Sequence, residues 1–370
     1  MKRFFVGLLS IVTVVASLTY LISCLTPYIS PIDFWPMAFL ALGFPYLFIA
    51  ILVIAFPWVF VRKKIAFCLL LLLLVGFQNL FSTFAISLSN SSKPYLKDSN
   101  TLRVLGWNVR SFDNPAIHAD SPNSARRKMF DYIKNSNADI LCLQEFTEYI
   151  GPAFTSNTKQ LITLGYVHNY QTAEIVKTFG WGTAKTGSAI FSKIPLLDSG
   201  KTLLGDPSFP EHIAFIDVSF KNRRLRVFAT HFKSLNLFAN RNSSTGVLFH
   251  NDPYYVYEAT KFEKLKVFAQ DHVREAFIAK DQLNKSPYPL IYLADMNSVP
   301  TSYPYHVMSK GLTDAFIANG SGLGTTLDSL PKTLRIDFIL VDKRFSIKSF
   351  QKHDVHLSDH FPQLADLEWH

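Results

Sequence analysis

Acidic, amide and histidine residues stand at the ends of apolar runs in the later part of this 370-residue chain. Leu102 to Trp107 ends in Asn108, Ile140 to Gln144 in Glu145, Leu225 to Thr230 in His231, and Leu290 to Ala294 in Asp295-Met296-Asn297. Arg335-Ile336-Asp337-Phe338 opens another run, and Leu357-Ser358-Asp359-His360 precedes the last. Carboxylates and carboxamides are hard oxygen donors suited to Mg²⁺ or Mn²⁺, and two histidines with neighbouring carboxylates suit acid/base work on a phosphoryl group. Zinc is disfavoured, because no Cys/His spacing of the usual kinds occurs here. Singly, each position has an ordinary reading: Asn108 as a turn residue, Asp295 and Asn297 as an Asx turn, Asp359 as a loop cap, His231 and His360 as structural histidines.

Placement is what joins them. Apolar patterning predicts strands at about 102 to 109, 139 to 144, 187 to 192, 213 to 220, 225 to 231, 289 to 295, 335 to 341 and 363 to 368. Strand ends lie along one sheet edge, so residues remote in sequence converge there while the strands stay buried. Asn222-Arg223 suits a hairpin turn. Ser124 suits the N-cap of a helix to Asn135 with Met129, Tyr132 and Ile133 inward. Tyr255 to Leu283 repeats apolar residues at helical steps (Phe262, Leu265, Phe268, Val273, Phe277). Strands with interspersed helices indicate a sheet-rich α/β or α+β unit. Gly320 to Gly324 follows no clear strand and opens no helix, so it reads as a flexible loop rather than a phosphate cradle. Cys142, in an apolar run, reads as core filler.

The first 92 residues are different material. The chain is 18% charged, yet this stretch holds only Lys2, Arg3, Asp33, Arg62, Lys63 and Lys64. Three apolar runs, about 4 to 25, 37 to 61 and 65 to 88, each reach the roughly 20 residues that cross a bilayer. Basic residues before the first run and between the second and third place both clusters in the cytoplasm, so the chain emerges outside after the third crossing. The expected organisation is a membrane region over 1 to 92, a linker over 93 to 100 and an extracytoplasmic unit over 101 to 370, held at the cell membrane. Leu21-Ile22-Ser23-Cys24 loosely resembles a bacterial lipoprotein signal, with Cys24 the acylated residue; an intact first crossing is favoured because apolar character continues to Leu25. Net charge is +9 overall and +5 after residue 92, which tolerates anionic substrates but lacks the dense basic stripe of a protein gripping many nucleic-acid phosphates.

Taken in order, Trp107-Asn108, Leu143-Gln144-Glu145, Gly187 to Ser192, Thr230-His231-Phe232, Ala294 to Pro300, Arg335 to Phe338 and Ser358 to Pro362 resemble the endonuclease/exonuclease/phosphatase superfamily across residues 101 to 370. The resemblance implies a four-layer α/β sandwich of two packed mixed sheets flanked by helices, with the active site at one edge. It implies Glu145 as principal divalent-metal ligand, with Asn108 and Asp359 near the metal or phosphate. Asp295 and Asn297 resemble the pair that orients water and phosphoryl oxygens, and His360, held by Asp337, the histidine that activates water or binds phosphate. His231 resembles the extra histidine of the deoxyribonuclease and sphingomyelinase branches; Glu174 and Glu211 are both open as its carboxylate partner. Tyr170 lies where the family's phosphate-binding tyrosine or arginine is usually found.

The implied function is a membrane-anchored, Mg²⁺-dependent (or Mn²⁺-dependent) phosphoester hydrolase with in-line attack of water on phosphorus. Its substrate is a nucleic acid, a phospholipid headgroup or a small phosphoester, and the bilayer is its other partner. The alternative is an inactive binding or scaffold protein on the same fold, disfavoured because every matched polar residue is present.

Overall fold

A computed structural model of the chain describes residues 2–87, 97–113, 124–152, 154–180, 182–205, 207, 210–234, 261–328 and 332–370. The N-terminal apolar runs fold as α1 (Lys2–Ser23), α2 (Met37–Val61) and a third rod made of α3 (Lys63–Leu73), a 3-10 turn and α4 (Phe77–Thr83). All three are long and apolar enough to cross a membrane. Tyr20, Phe44, Ile51, Trp58 and Leu69 form the bundle core, where Cys24 is also buried. Large apolar side chains such as Ile11, Val53, Phe56 and Phe67 face outward, an arrangement suited to hydrocarbon surroundings. Trp58 Nε1 donates to Thr13 Oγ1 at 2.8 Å, and the Tyr20 hydroxyl donates to the Leu73 carbonyl at 3.0 Å. The third rod stops at Thr83, short of residue 88, because the chain turns extended as β1 (Ala85–Ile86). Residues 93–96 of the expected linker lie outside the described residues.

The rest of the chain runs β2 (Leu102–Asn108), a short turn α5 (Arg110–Asp113), α6 (Ala125–Ser136), β3 (Ile140–Ile150), α7 (Asn157–Thr163), β4 (His168–Gln171), β5 (Ile175–Phe179) and β6 (Gly182–Ser192). It continues as β7 (Leu196–Leu203), β8 (His212–Phe220), β9 (Arg223–His231), α8 (Lys261–Asn284), β10 (Leu290–Asp295), α9 (Tyr303–Ser309) and β11 (Leu312–Asp314). Last come α10 (Ala315–Asn319), β12 (Ser321–Gly322), β13 (Asp337–Asp342), β14 (Phe345–Lys352) and β15 (Gln363–Trp369).

One sheet has the order β11-β13-β10-β9-β8-β7, the other β14-β15-β2-β3-β6-β4 with β5 also on β6. Their inner faces meet through Val104, Cys142, Ile190, Val227, Ile291 and Ile339. Met129, Phe130 and Ile133 of α6 cover one outer face; Ala276, Ala279 and Leu283 of α8 cover the other. The result is the expected four-layer sandwich of two mixed sheets.

Local expectations fare unevenly. Ser124 caps α6, its side chain accepting from the Arg127 N–H, and Met129 and Ile133 are buried as expected. On α8, Val273 is buried, but Phe262 and Phe277 are exposed; residues 255–260 of the expected helix lie outside the described residues. The hairpin between β8 and β9 pairs Phe220 with Arg223, so its turn is Lys221-Asn222, one residue earlier than expected. Both turn residues have positive φ, the conformation that two-residue hairpins favour. The Gly320 to Gly324 loop is not free: Ser321 and Gly322 pair with β1, and a Cβ on Gly324, whose φ is 62°, would meet the Phe316 ring at 2.5 Å.

The sandwich sits on the end of the bundle remote from Arg62, Lys63 and Lys64. Thr26 Oγ1 donates to the Thr301 carbonyl at 2.8 Å, Thr301 Oγ1 donates to the Ala41 carbonyl at 2.7 Å, and buried Arg335 donates to the Ser82 carbonyl at 2.7 Å. Ala41, Val299 and Ile336 close an apolar seam between them.

Candidate active site

Register assembles the site. In the parallel pair β9/β10, His231 lies opposite Asp295; in the antiparallel pair β10/β13, Asp295 lies opposite Asp337. In the other sheet, Asn108 lies opposite Gln144, and Glu145 follows. Glu145 occupies a bulge: the β3/β6 register shifts between Leu143 and Phe146, and the Glu145 φ is 50°. Bulges beside active sites re-aim a side chain out of the pleat. Asn297 is also left-handed, and its N–H donates to Asp295 Oδ1 at 3.0 Å, so the Asx turn exists and holds a site residue.

Asp295, fully buried, is the centre. Its Oδ2 accepts from Asn108 Nδ2 at 3.0 Å and lies 3.7 Å from His231 Nε2 and 3.6 Å from His360 Nδ1. The Asn108 amide also donates to Glu145 Oε1 at 3.0 Å, using both its hydrogens on carboxylates. His360 Nδ1 is 2.9 Å from Asp337 Oδ2, and the Asp337 N–H donates to Thr326 Oγ1 at 3.1 Å. Trp107 Nε1 donates to the His360 carbonyl at 2.8 Å, fixing the final loop against β2. Asn297 Nδ2 donates to the Phe232 carbonyl at 2.9 Å and lies 3.4 Å from His231 Nε2.

The choice between Glu174 and Glu211 resolves geometrically: His231 Nδ1 is 3.4 Å from Glu211 Oε1, whereas Glu174 Oε1 accepts from the His212 N–H at 3.1 Å. Tyr170 packs against the core between the sheets. Two residues escaped the sequence reading. Arg110 Nε lies 3.6 Å from Asp359 Oδ2 above the site, in a turn where Arg110, Ser111 and Phe112 all have positive φ. Ser234 Oγ lies 3.1 Å from His231 Nε2. Neither carries a sequence signal beyond its nearness to Asn108 or His231.

Charge is concentrated here. Burial pulls the His231 imidazole down, but Glu211, Asp295 and Glu145 outweigh it and hold it well above the ordinary histidine range. Burial likewise opposes charge on His360, yet Asp337 and Asp295 lift it to about 10. Burial raises Asp337 to about 6 against the pull of His360, and raises Glu174 to about 7 with help from Glu211. Glu145 is pushed up by burial and by Asp359, and pulled back by His231.

Asp295, Asp337 and His360 place donor atoms within 4.8 Å of one another, a spacing that a metal ion also fits. There, however, His360 Nδ1 and Asp337 already face each other. Glu145, its side chain 24% exposed, offers the more open carboxylate, with Asp359 as its repelling neighbour. Those oxygen donors fit a hard divalent cation, whose charge would relieve that repulsion.

The fold has counterparts among known proteins. A comparison with curated proteins gave no match. The chain is similar to the crystal structure of an endonuclease/exonuclease/phosphatase from Beutenbergia cavernae DSM 12333 (18% identity, 73% of this chain and 72% of that one, TM-score 0.52). It is equally similar to one from Bacteroides vulgatus (18% identity, 73% and 99% covered, TM-score 0.52). The human Nocturnin catalytic domain with a bound sulfate anion also shares the fold (18% identity, 74% and 96% covered, TM-score 0.51). A family model described as a domain of unknown function matches residues 3–83, the helical bundle. The model of the endonuclease/exonuclease/phosphatase family matches residues 105–360, from β2 to His360, and so takes in every strand end that builds the site: the chain belongs to that family.

Proposed function

We propose that the chain is a membrane-anchored, divalent-metal-dependent phosphoester hydrolase. The observation that carries this is the convergence on Asp295 of Asn108 and two histidines, each backed by its own carboxylate, Glu211 for His231 and Asp337 for His360. An anionic ester cannot settle beside so many carboxylates without added positive charge, and the imidazoles supply part of it. Glu145, Asn108 and Asp359 would hold Mg²⁺ or Mn²⁺, which supplies charge stabilisation at phosphoryl oxygens when bound.

The chain's own groups do the rest. Asp295, held by the Asn297 N–H and the Asn108 amide, orients the attacking water and takes its proton. Asn297 donates to phosphoryl oxygen without adding negative charge. His231, with Nδ1 toward Glu211, presents Nε2 to the site and hands a proton to the leaving oxygen. His360, fixed by Asp337, binds the phosphoryl group as a cation.

Three apolar helices with Arg62-Lys63-Lys64 at one end and the sandwich at the other support anchoring with the catalytic unit outside the cytoplasm. The test is hydrolysis by the full chain in detergent with Mg²⁺, and with chelator, of plasmid DNA, a nitrophenyl phosphodiester, a nitrophenyl phosphomonoester and phospholipid vesicles, beside Glu145→Ala. Metal-dependent cleavage lost in the variant is expected. Metal binding without cleavage of any ester would favour a binding protein instead.

A further inference from the structure

A narrow crevice of about 60 Å³ lies between the bundle and the sandwich. Met37, Ala38 and Leu42 of α2 form one wall, Leu265 and Phe268 of α8 the other, and Asn297 stands at its catalytic end. Its polar floor is electrically quiet: His272 Nδ1 meets Ser298 Oγ at 2.8 Å and Nε2 meets the Lys233 carbonyl at 2.7 Å. The α2 wall reaches Leu42, which is partly exposed on the flank of the bundle. Leu42 begins a stripe at helical steps, Leu42, Ile49, Val53 and Phe56, whose exposure climbs from 42% to 68%. In the loop before α2, Tyr28 and Phe34 are exposed and Trp35 packs edge-on against Phe39 at 5.5 Å, the aromatic composition of a membrane-water interface.

We infer that this crevice seats the first carbons of a membrane lipid's hydrocarbon chain and that the phosphoester of the same lipid is the bond cleaved. The inference rests on the hydrolase reading above. The crevice is too small for a whole chain, so the remainder runs down the exposed stripe of α2 into the bilayer. A headgroup phosphate at the interface then reaches Asn297 without leaving the membrane. The oxygen of water bonds to phosphorus, the P–O bond to the leaving alcohol breaks with its electron pair on that oxygen, and one proton passes to it, so no further reactant is needed. Membrane helices that served only as an anchor would not have to contribute a wall to a crevice ending at a site residue.

The test uses the full chain in detergent micelles with Mg²⁺. Dioleoyl phosphatidic acid and dioleoyl phosphatidylglycerol are compared with glycerol 3-phosphate and glycerophosphoglycerol, their water-soluble counterparts, and with bis(p-nitrophenyl) phosphate. One of the two lipids is expected to exceed its soluble counterpart in kcat/KM by about tenfold or more, the scale of burying two or three methylenes. Ala38→Trp and Leu265→Trp, which fill the crevice, are expected to raise KM for that lipid about tenfold and leave kcat and nitrophenyl ester hydrolysis unchanged. Equal rates on lipid and soluble ester, with metal-dependent hydrolysis intact, overturn the crevice inference alone. Equal losses on all substrates in the tryptophan variants overturn it as well, since they mark a structural role. If no ester is hydrolysed, the hydrolase reading fails, and with it the claim that the lipid is cleaved. Chain seating is then read separately with phosphatidylglycerol carrying a diazirine near the ester end of its chain. Labelling of Met37 to Leu42 and Leu265 to Ala269, lost in Ala38→Trp, supports the seat; labelling confined to the middle of the bundle overturns it.

Discussion

Glu211 Oε1 stands 3.4 Å from His231 Nδ1, with His231 Nε2 turned toward Glu145 and Asp295 on the other side of the ring. That contact fixes the ring and raises its proton affinity. Glu211→Gln is expected to lower turnover by about 10 to 100-fold, the contribution of a general acid that has lost its partner. Glu174→Gln, which touches the His212 N–H instead, is expected to cost less than about threefold. Steady-state kinetics on both variants decides; a larger loss in Glu174→Gln would reverse the pairing.

The sequence nearly contained this pair. A hairpin turn at Lys221-Asn222 sets the register that pairs Ile213 with Thr230 and brings Glu211 alongside the end of β9. A turn read one residue later slides every pairing, and in a strand a slip of that kind changes which residues are neighbours. The buried strand stretches leading up to Asn108, Glu145, His231 and Asp295 were legible because continuous apolar runs stopped at residues able to do chemistry, although β3 continues beyond its bulge to Ile150. The strands β4, β7 and β14 were not: His168 to Gln171, Leu196 to Leu203 and Phe345 to Lys352 are half-exposed and polar, with no clean two-residue alternation. Nor was the seating of the sandwich on the bundle, because Thr301 and Arg335 carry no mark of partners 260 and 253 residues away.

Asn108 holds Glu145 and Asp295 with one amide. Asn108→Ala removes the amide that bridges the two carboxylates, and Asn108→Asp adds a third carboxylate beside them. Turnover is expected to fall about 100-fold in the first and further in the second, with the Mg²⁺ concentration for half-maximal rate altered in both. A metal titration of activity checks this. Unchanged rates in Asn108→Ala would remove the residue from the site.

His272 gives the fold an acid limit. Burial holds its imidazole down to about 4, against about 6.5 for an ordinary histidine. Above pH 6.5 neither folded nor unfolded chain protonates it. Below that the unfolded chain takes a proton that the folded one refuses, so stability falls as the pH drops from about 6.5 toward 4. By pH 4.5 the loss is roughly 2 to 3 kcal/mol. His272→Gln is expected to lack this component, so its unfolding free energy in detergent should fall less than that of the wild type between pH 7 and 4.5. Parallel pH curves for the two proteins would refute it.

Arg335 ties the sandwich to the N-terminal helices. It is buried, donates to Asp314 Oδ2 at 2.7 Å and to the Ser82 carbonyl at 2.7 Å, and its guanidinium lies 4.7 Å from both the Phe316 and Phe338 ring centres. Asp314 is in turn the N-cap of α10, accepting from the Phe316 and Ile317 N–H groups, and it receives the Tyr305 hydroxyl at 2.7 Å. Arg335→Met keeps much of the bulk but leaves Asp314 as a buried carboxylate without its cation and the Ser82 carbonyl without that donor. Removing one partner of such a pair costs about 3 to 5 kcal/mol, whereas Arg335→Met combined with Asp314→Asn removes both charges and is expected to recover part of that loss. Because the arginine also reaches the end of α4, the single variant should loosen the seam between bundle and sandwich before the sandwich itself opens. Limited proteolysis in detergent, read as cleavage between residues 83 and 101, is therefore expected to quicken in Arg335→Met while Mg²⁺-dependent hydrolysis of a soluble ester persists. Unaltered cleavage together with unaltered denaturation would show that the buried pair and its contact with Ser82 contribute nothing to that junction.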